Sequence, residues 1–191
     1  MSVALAAPRP VALDRLRSAD LPLVYQAVAI VAAAAVTALL AQAEIRVYLW
    51  QVPLTLQTVA VYGTGLVLGR RNGFLAMALY LLAGLALPVF SGGASGLAHL
   101  VGATGGYLLA FPLVALVAGT LTERTRTLGQ SAFALLAGSF VLFSCGVAVL
   151  HTVSGDLSWA AALDMGWARF IPWDLAKIAL VSGAYAFGRR A

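Results

Sequence analysis

Between Ser131 and His151 the sequence reads SAFALLAGSFVLFSCGVAVLH, twenty-one residues without an Asp, Glu, Lys or Arg. A helix needs about 20 mostly apolar residues to cross the hydrocarbon core of a bilayer. The rest of the 191-residue chain is similar, since 62% of its residues are hydrophobic and only 10% are charged. Soluble domains carry about 25% charged residues, so this composition predicts an all-α integral membrane protein.

Five further apolar runs accompany this one, and six helices would use about 120 residues. The six runs extend from Leu21 to Ala43, Leu54 to Gly69, Gly73 to Phe90, Thr104 to Leu121, Ser131 to His151, and Trp167 to Phe187. Only Arg70, Arg71 and Asn72 separate the second run from the third, which predicts a tight basic turn. We therefore expect a six-transmembrane-helix bundle over residues 21–191, preceded by a cytoplasmic segment at residues 1–20.

The arginines predict the orientation of this bundle. Arg9, Arg15 and Arg17 precede the first run, and pairs follow the second, fourth and sixth runs: Arg70 and Arg71, Arg124 and Arg126, Arg189 and Arg190. The opposite side holds only Arg46 and Arg169. The positive-inside rule then places the N and C termini in the cytoplasm and residues 44–53, 91–103 and 152–166 outside. Because the charges are scattered between apolar runs, the net charge of +5 does not predict a nucleic-acid partner.

A signal peptide is the alternative for the first run, because Ala41-Gln42-Ala43 resembles a signal-peptidase site. We disfavour cleavage, since the run exceeds the roughly 7–15 residues of a signal h-region. Cleavage would also remove one span and leave the new N-terminus outside.

The only lysine of the chain, Lys177, lies inside the sixth run, three residues after Asp174. A charge at the bilayer centre costs at least about 2.5–3.5 kcal/mol on insertion scales, so such residues are candidates for a functional site. A spacing of three places both side chains on one helix face, and Pro172 suits the first turn of that helix. We favour the interpretation that they bind a polar solute. The alternative is that they pair with each other and only hold the bundle together.

Other residues extend this candidate substrate-binding site. The side-chain amide of Gln57 needs hydrogen-bond partners inside a bundle. Thr55, two residues earlier, is either a ligand contact or a helix cap. Aromatic residues could line an apolar pocket or form the belts found at membrane surfaces; they are Trp50, Tyr80, Tyr107 and Trp173. A glycine-rich loop offers backbone N–H groups to a ligand at Gly92, Gly93 and Gly96, unless it is only a mobile loop.

The sequence also disfavours several kinds of chemistry. It lacks a G-x-x-x-x-G-K-[ST] motif, so we expect no ATP site in this chain. Its two histidines and the absence of H-E-x-x-H predict no metal site, and we expect no cofactor. The single cysteine, Cys145, lies inside an apolar run and cannot form an internal disulfide.

One enzyme interpretation competes with solute binding. Gly93-Ala94-Ser95-Gly96 matches the G-x-S-G motif of rhomboid intramembrane proteases, and His151 follows as a candidate general base for Ser95. However, Ser95 falls in a predicted outer loop, and a protease gives no role to Asp174 and Lys177. We therefore expect that the chain is not an enzyme.

Four fragments, in this order, resemble the BioY family, the biotin-specific S components of energy-coupling factor (ECF) transporters. They are VPLTLQT from Val52, LYLLAGLALPVF from Leu79, GATGGYL from Gly102 and IPWDLAK from Ile171. The resemblance covers about residues 22–188. Two residues depart from the family pattern: Ala103 stands where the family has proline, and Pro112 follows Phe111 where the family has another residue. Because proline disturbs a helix, we expect Pro112 to kink the fourth helix.

The resemblance implies a multi-pass protein of the bacterial inner membrane that captures biotin from outside for ATP-driven import. It implies a transmembrane coupling protein and two cytoplasmic ATPase subunits as partners. A small-residue face on the first helix would contact the coupling protein, although the residues alone equally allow internal packing; this face comprises Ala29, Ala33, Ala34, Ala38 and Ala41.

The polar groups of biotin suit the charged residues of the sixth run in more than one way. Asp174 could accept hydrogen bonds from the ureido N–H groups of biotin. Lys177 could pair with the biotin carboxylate or donate to the ureido oxygen. Alternatively, Lys177 pairs only with Asp174, and amides of the glycine-rich loop hold the carboxylate.

Overall fold

The computed structural model describes residues 15–18, 21–45 and 52–189, most of which are helical. The α-helices are α1 Leu23–Ala41, α2 Gln57–Gly84, α3 Leu97–Leu100, α4 Gly105–Leu121, α5 Leu128–Val153, α6 Trp159–Gly166 and α7 Ile171–Gly188. Short 3₁₀ turns occupy Ser91–Gly93 and Ala168–Phe170. Two antiparallel strands, β1 Glu44–Ile45 and β2 Leu54–Thr55, form a small hairpin between α1 and α2. The predicted helical class is confirmed.

Helix α2 contains a reversal of the chain at Gly69, where φ is 73° and ψ is −173°. A Cβ atom at Gly73 would lie 3.4 Å from the carbonyl oxygen of Thr64, so residues 57–68 and 70–84 fold back on each other. The turn predicted at Arg70, Arg71 and Asn72 is wrong in its position, because all three are helical. Glycine adopts positive φ without a Cβ penalty, which lets the chain reverse at that single residue.

Three helices among the described residues are long and apolar enough to cross a membrane, namely α1, α2 and α5. Helix α4 is apolar but shorter. Because α2 reverses at Gly69, its 28 residues do not form one straight span. The six-span count and the cytoplasmic position of both termini stay predictions. Helix α4 continues through Pro112, and the kink expected there stays a prediction.

Helix α4 lies at the centre of the bundle, between α2 and α5, while α1 packs on α2 and α7 packs on α5 and α2. Small residues let the backbones approach closely at two crossings. A Cβ atom at Gly106 would lie 2.4 Å from the carbonyl oxygen of Cys145, and one at Gly119 would lie 2.2 Å from the Arg70 nitrogen. These contacts hold the two ends of α4 against α5 and the α2 reversal.

The alanine face of α1 packs against the rest of the bundle. Ala34 and Ala41 are buried, and the remaining members are partly buried against the core; these are Ala29, Ala33 and Ala38. The opposite face of α1 is exposed, with Leu23 and Leu39 among its residues. The expected partner surface therefore does not coincide with an exposed face, because small side chains here let α1 approach α2.

The loops lie at two ends of the bundle, which we call the outer end and the inner end after the predicted orientation. At the outer end, the Gln42 amide nitrogen donates to the Phe90 carbonyl oxygen and its amide oxygen accepts from the Gly93 N–H, both at 3.1 Å. The Ser91 hydroxyl donates to the Glu44 carboxylate. At the inner end, Arg70 pairs with Glu123 at 2.8 Å, and Arg189 donates to the Arg126 carbonyl oxygen. Three arginines used in predicting the orientation lie outside the described residues: Arg9, Arg46 and Arg190.

Candidate functional site

A cavity of about 360 Å³ lies at the outer end of the bundle. This volume is within the range of small-molecule sites, which measure about 300–1,000 Å³. Its apolar walls include Leu108, Phe111, Leu142, Phe143, Phe170 and Trp173. Its polar lining includes Thr55, Gln57, Thr58, Ser91, His99, Asp174 and Lys177. The cavity therefore combines an apolar body with a few convergent polar groups.

Asp174 lies in the first turn of α7, as predicted, and only 5% of it is exposed. One carboxylate oxygen accepts a hydrogen bond from the Tyr62 hydroxyl at 2.7 Å, and the other accepts one from the Ser139 hydroxyl at 2.5 Å. A helix N-terminus also favours an anion. These three contributions from α2, α5 and α7 hold the carboxylate at the cavity wall.

Lys177 lies one turn further along α7 and reaches toward the start of α2. Its ammonium group donates to the Thr55 carbonyl oxygen at 2.7 Å and to the Thr58 hydroxyl at 2.9 Å. Within the described part of the chain, two of its three N–H groups thus have partners. Lys177 thus joins α7 both to strand β2 of the hairpin and to the first turn of α2.

Asp174 and Lys177 are not satisfied by each other. Their hydrogen bonds go to different partners, and no ion pair joins them among the described residues. The interpretation in which the two charges pair only with each other does not agree with this arrangement. Instead, each charge is anchored separately, and both border the same cavity.

Gln57 also lines the cavity and is satisfied inside the bundle. Its amide nitrogen donates to the Tyr80 hydroxyl at 2.6 Å, and its oxygen accepts from the Thr55 hydroxyl at 3.2 Å. The helix-cap interpretation of Thr55 is wrong, since Leu56 precedes α2 without a side-chain cap and Thr55 belongs to β2. Tyr80 lies behind Gln57, packed against the ring of Phe111, and is not part of the cavity lining.

The remaining predicted site residues divide into two groups. Tyr107 and Trp173 line the cavity, and the Tyr107 hydroxyl donates to the Gly166 carbonyl oxygen at 2.7 Å. Three glycines lie outside the lining, although Ser91 of the same loop belongs to it; they are Gly92, Gly93 and Gly96. Trp50 lies outside the described residues.

The sequence did not predict Tyr62 and Ser139, which hold Asp174, as site residues, and it did not assign Thr58 or His99, which line the cavity, to substrate binding. Hydroxyl side chains are common in transmembrane helices, so nothing in their spacing distinguishes these from others. The available signal was indirect: a buried carboxylate requires hydrogen-bond donors on neighbouring helices.

The Ser95–His151 dyad of the protease alternative is not assembled. Ser95 is exposed in the loop, while His151 bonds the Leu157 carbonyl oxygen at 2.7 Å and its ring lies 3.9 Å from that of Trp159. No hydrogen bond joins Ser95 to His151 in the described part of the chain. Within the same residues, no group of three or more His, Cys, Asp or Glu side chains is arranged to hold a metal.

The apolar helical bundle and its amphipathic cavity are typical of membrane proteins that bind a small molecule at one end. The chain belongs to the BioY family, whose profile matches residues 12–191. It is 38% identical over 138 residues to the probable biotin transporter BioY of Pyrococcus horikoshii, covering 72% of this chain and 80% of that relative. It is 37% identical over 141 residues to the biotin transporter BioY of Thermotoga maritima, covering 73% and 82%.

The fold is shared with a solved structure, the S-component for biotin from an ECF-type ABC transporter. The TM-score is 0.78, and the match covers 88% of this chain and 92% of the other. The two sequences are 23% identical, so this likeness concerns the fold.

Proposed function

We propose that this chain captures biotin in its cavity from the external side of the membrane, for import into the cell. The observation that carries the proposal is the separate anchoring of Asp174 and Lys177 at one cavity wall. Membership of the BioY family, and relatives named as biotin transporters, support biotin as the ligand.

The chemistry of biotin complements this cavity. Its bicyclic thioether and aliphatic chain suit the apolar walls formed by Leu108, Phe111 and Phe143. Its ureido group carries two N–H donors, for which the Asp174 carboxylate is an acceptor. Lys177 then donates to the biotin carboxylate or to the ureido oxygen, and both arrangements use its remaining N–H group.

We propose further that the chain is an S component of an ECF-type transporter in the bacterial inner membrane. It would work with a transmembrane coupling protein and two cytoplasmic ATPase subunits, which supply the nucleotide chemistry. The fold shared with a biotin S component supports this assembly. In this arrangement the chain has six spans, both termini are cytoplasmic, and biotin enters at the outer end.

Calorimetry of the purified chain in detergent tests the ligand. Biotin should bind tightly, and desthiobiotin, which keeps the ureido and carboxylate groups but lacks the thioether ring, should bind more weakly. Thiamine, which lacks both polar groups, should produce no binding heat. Absence of heat with biotin, or equal affinity for thiamine, would contradict the proposal.

The protease alternative is not supported, because the chain belongs to a family whose relatives are named as transporters. We expect no labelling of the protein by a fluorophosphonate probe. Labelling that disappears in Ser95→Ala would reverse this conclusion.

A further inference from the structure

Arg17 inserts its side chain into the inner end of the bundle, although it lies before α1 in the chain. Its guanidinium donates to the carbonyl oxygens of Leu66 and Gly119 at 3.2 and 2.7 Å. It also contacts the hydroxyls of Thr122 and Tyr185 at 3.0 and 3.4 Å. One side chain therefore joins the first half of α2, the end of α4 and the last turn of α7.

These contacts use groups that helices leave unsatisfied. The last carbonyl groups of a helix have no partner within it and carry partial negative charge. Leu66 and Gly119 lie in the last turns of residues 57–68 and of α4, so their carbonyl oxygens face a cation at a favourable position. The planar guanidinium presents its donors as a rigid fork and can reach several acceptors together, which an ammonium cannot do in the same way.

The reversal of α2 provides the space for this side chain. A Cβ atom at Gly69 would lie 3.0 Å from Nε of Arg17 and 3.5 Å from its Nη2. Glycine at this position thus permits the backbone reversal and also leaves room for the Arg17 guanidinium.

The same three helical segments form both the cavity and the Arg17 contacts. Gln57, Tyr107 and Asp174 line the cavity near the starts of the first half of α2, of α4 and of α7. Arg17 contacts each of these segments near its other end. Along α4, the cavity residue Tyr107 and the Arg17 contact at Gly119 are separated by about 18 Å.

We propose that Arg17 is a releasable clamp that holds the inner ends of the cavity-forming helices together. With the guanidinium seated, α2, α4 and α7 stay closed at the inner end. Withdrawal of residues 15–18 frees the three segments to separate there. This proposal concerns the conformation of the bundle and does not depend on the identity of the ligand.

Thiol labelling in the absence of ligand tests the clamp. The background variant is Cys145→Ser, and the reporter is Ser182→Cys, a nearly isosteric change at a side chain that is 2% exposed and lies one turn before Tyr185. A water-soluble methanethiosulfonate reagent should label the reporter slowly while Arg17 is present. Arg17→Ala should raise the labelling rate about tenfold or more, because losing even one hydrogen bond to a charged group shifts an opening equilibrium by roughly that factor.

Arg15→Ala is the matched control, since Arg15 is exposed and its substitution removes the same charge from the same segment. Its labelling rate should equal that of the background. Arg17→Lys keeps the charge but loses the fork, so it should also raise the rate, and it replaces Arg17→Ala if that variant does not fold. The clamp is overturned if the Arg17 variants label as slowly as the background, or if Arg15→Ala labels as fast as they do.

Discussion

Asp174 is tolerated inside the bundle because its surroundings replace water. Both carboxylate oxygens accept hydrogen bonds, from Tyr62 and Ser139, and α7 directs its N-terminus toward the group. Neither hydroxyl belongs to the lining of the 360 Å³ cavity, whereas Asp174 does. Hydroxyls from two neighbouring helices therefore hold the carboxylate from outside the cavity that Asp174 lines.

Substitution of either charged residue should weaken biotin binding. Asp174→Asn replaces an acceptor-only group by one that carries donors, and Lys177→Ala removes the ammonium, so each should lower affinity by about tenfold to a hundredfold. Calorimetry in detergent measures the change. Asp164→Asn is the control, because Asp164 is an exposed carboxylate paired with Arg169, and its affinity should be unchanged. Unchanged binding in both Asp174→Asn and Lys177→Ala would remove these residues from the site.

The two hydroxyls behind Asp174 should influence binding through that carboxylate. Tyr62→Phe and Ser139→Ala each remove one donor with little change in shape, and we expect each to weaken biotin binding by about tenfold. Ser139→Thr, which restores the hydroxyl, should recover most of the affinity. Ser182→Ala is the control, because the Ser182 hydroxyl bonds carbonyl oxygens of its own helix. Wild-type affinity in Tyr62→Phe and Ser139→Ala would show that Asp174 needs no such support.

At the scale of the elements, apolar runs predicted the helices but not how their ends turn. The turn was predicted at Arg70 and Arg71 because these residues are polar, but the chain reverses at Gly69. A hydropathy pattern shows where polar side chains lie, but it contains no information about backbone dihedral angles. The alanines of α1 show the same limit, since a small-residue face predicts close packing without indicating the partner.

Gly146 in α5 packs closely against the ring of Tyr107 in α4, which lines the cavity. A Cβ atom there would lie 2.1 Å from the Tyr107 ring, so Gly146→Ala should displace that ring and destabilise the fold by roughly 1–3 kcal/mol. The thermal unfolding midpoint in detergent should fall accordingly, and biotin affinity should fall with it.

Gly183→Ala is the matched control for this substitution, because nothing lies within 4 Å of a Cβ atom at Gly183 in α7. Its midpoint should be unchanged or slightly higher, since alanine favours helix more than glycine. An unchanged midpoint in Gly146→Ala would mean that the Tyr107 ring can move without cost.

At the scale of the molecule, the positions of charge were the most informative part of the sequence. The cost of placing Asp174 and Lys177 in an apolar helix predicted both as site residues, and both line the cavity. Thr58 and His99 could not be found in this way, because they reach the cavity through the arrangement of several helices. The free-energy cost of burying a charged side chain can be inferred from that residue and its sequence neighbours, whereas the shape of a cavity depends on tertiary packing.

The predicted orientation makes the two ends of the bundle distinguishable in intact cells. In the Cys145→Ser background, Ser95→Cys at the outer end and Thr125→Cys at the inner end both introduce exposed thiols. A membrane-impermeant maleimide should label the first in whole cells and the second only after the cells are opened. The reverse pattern would invert the orientation, and labelling of both in whole cells would contradict a bundle with six spans.

The position of Lys177 also gives the molecule an unusual chemical property. It is the only lysine in the sequence, and it borders the cavity. Among the side chains of this sequence, acylating reagents directed at primary amines therefore have one target, and that target lies where the proposed ligand biotin would bind. Peptide mass analysis after brief acylation, with and without biotin, would report occupancy without any engineered probe.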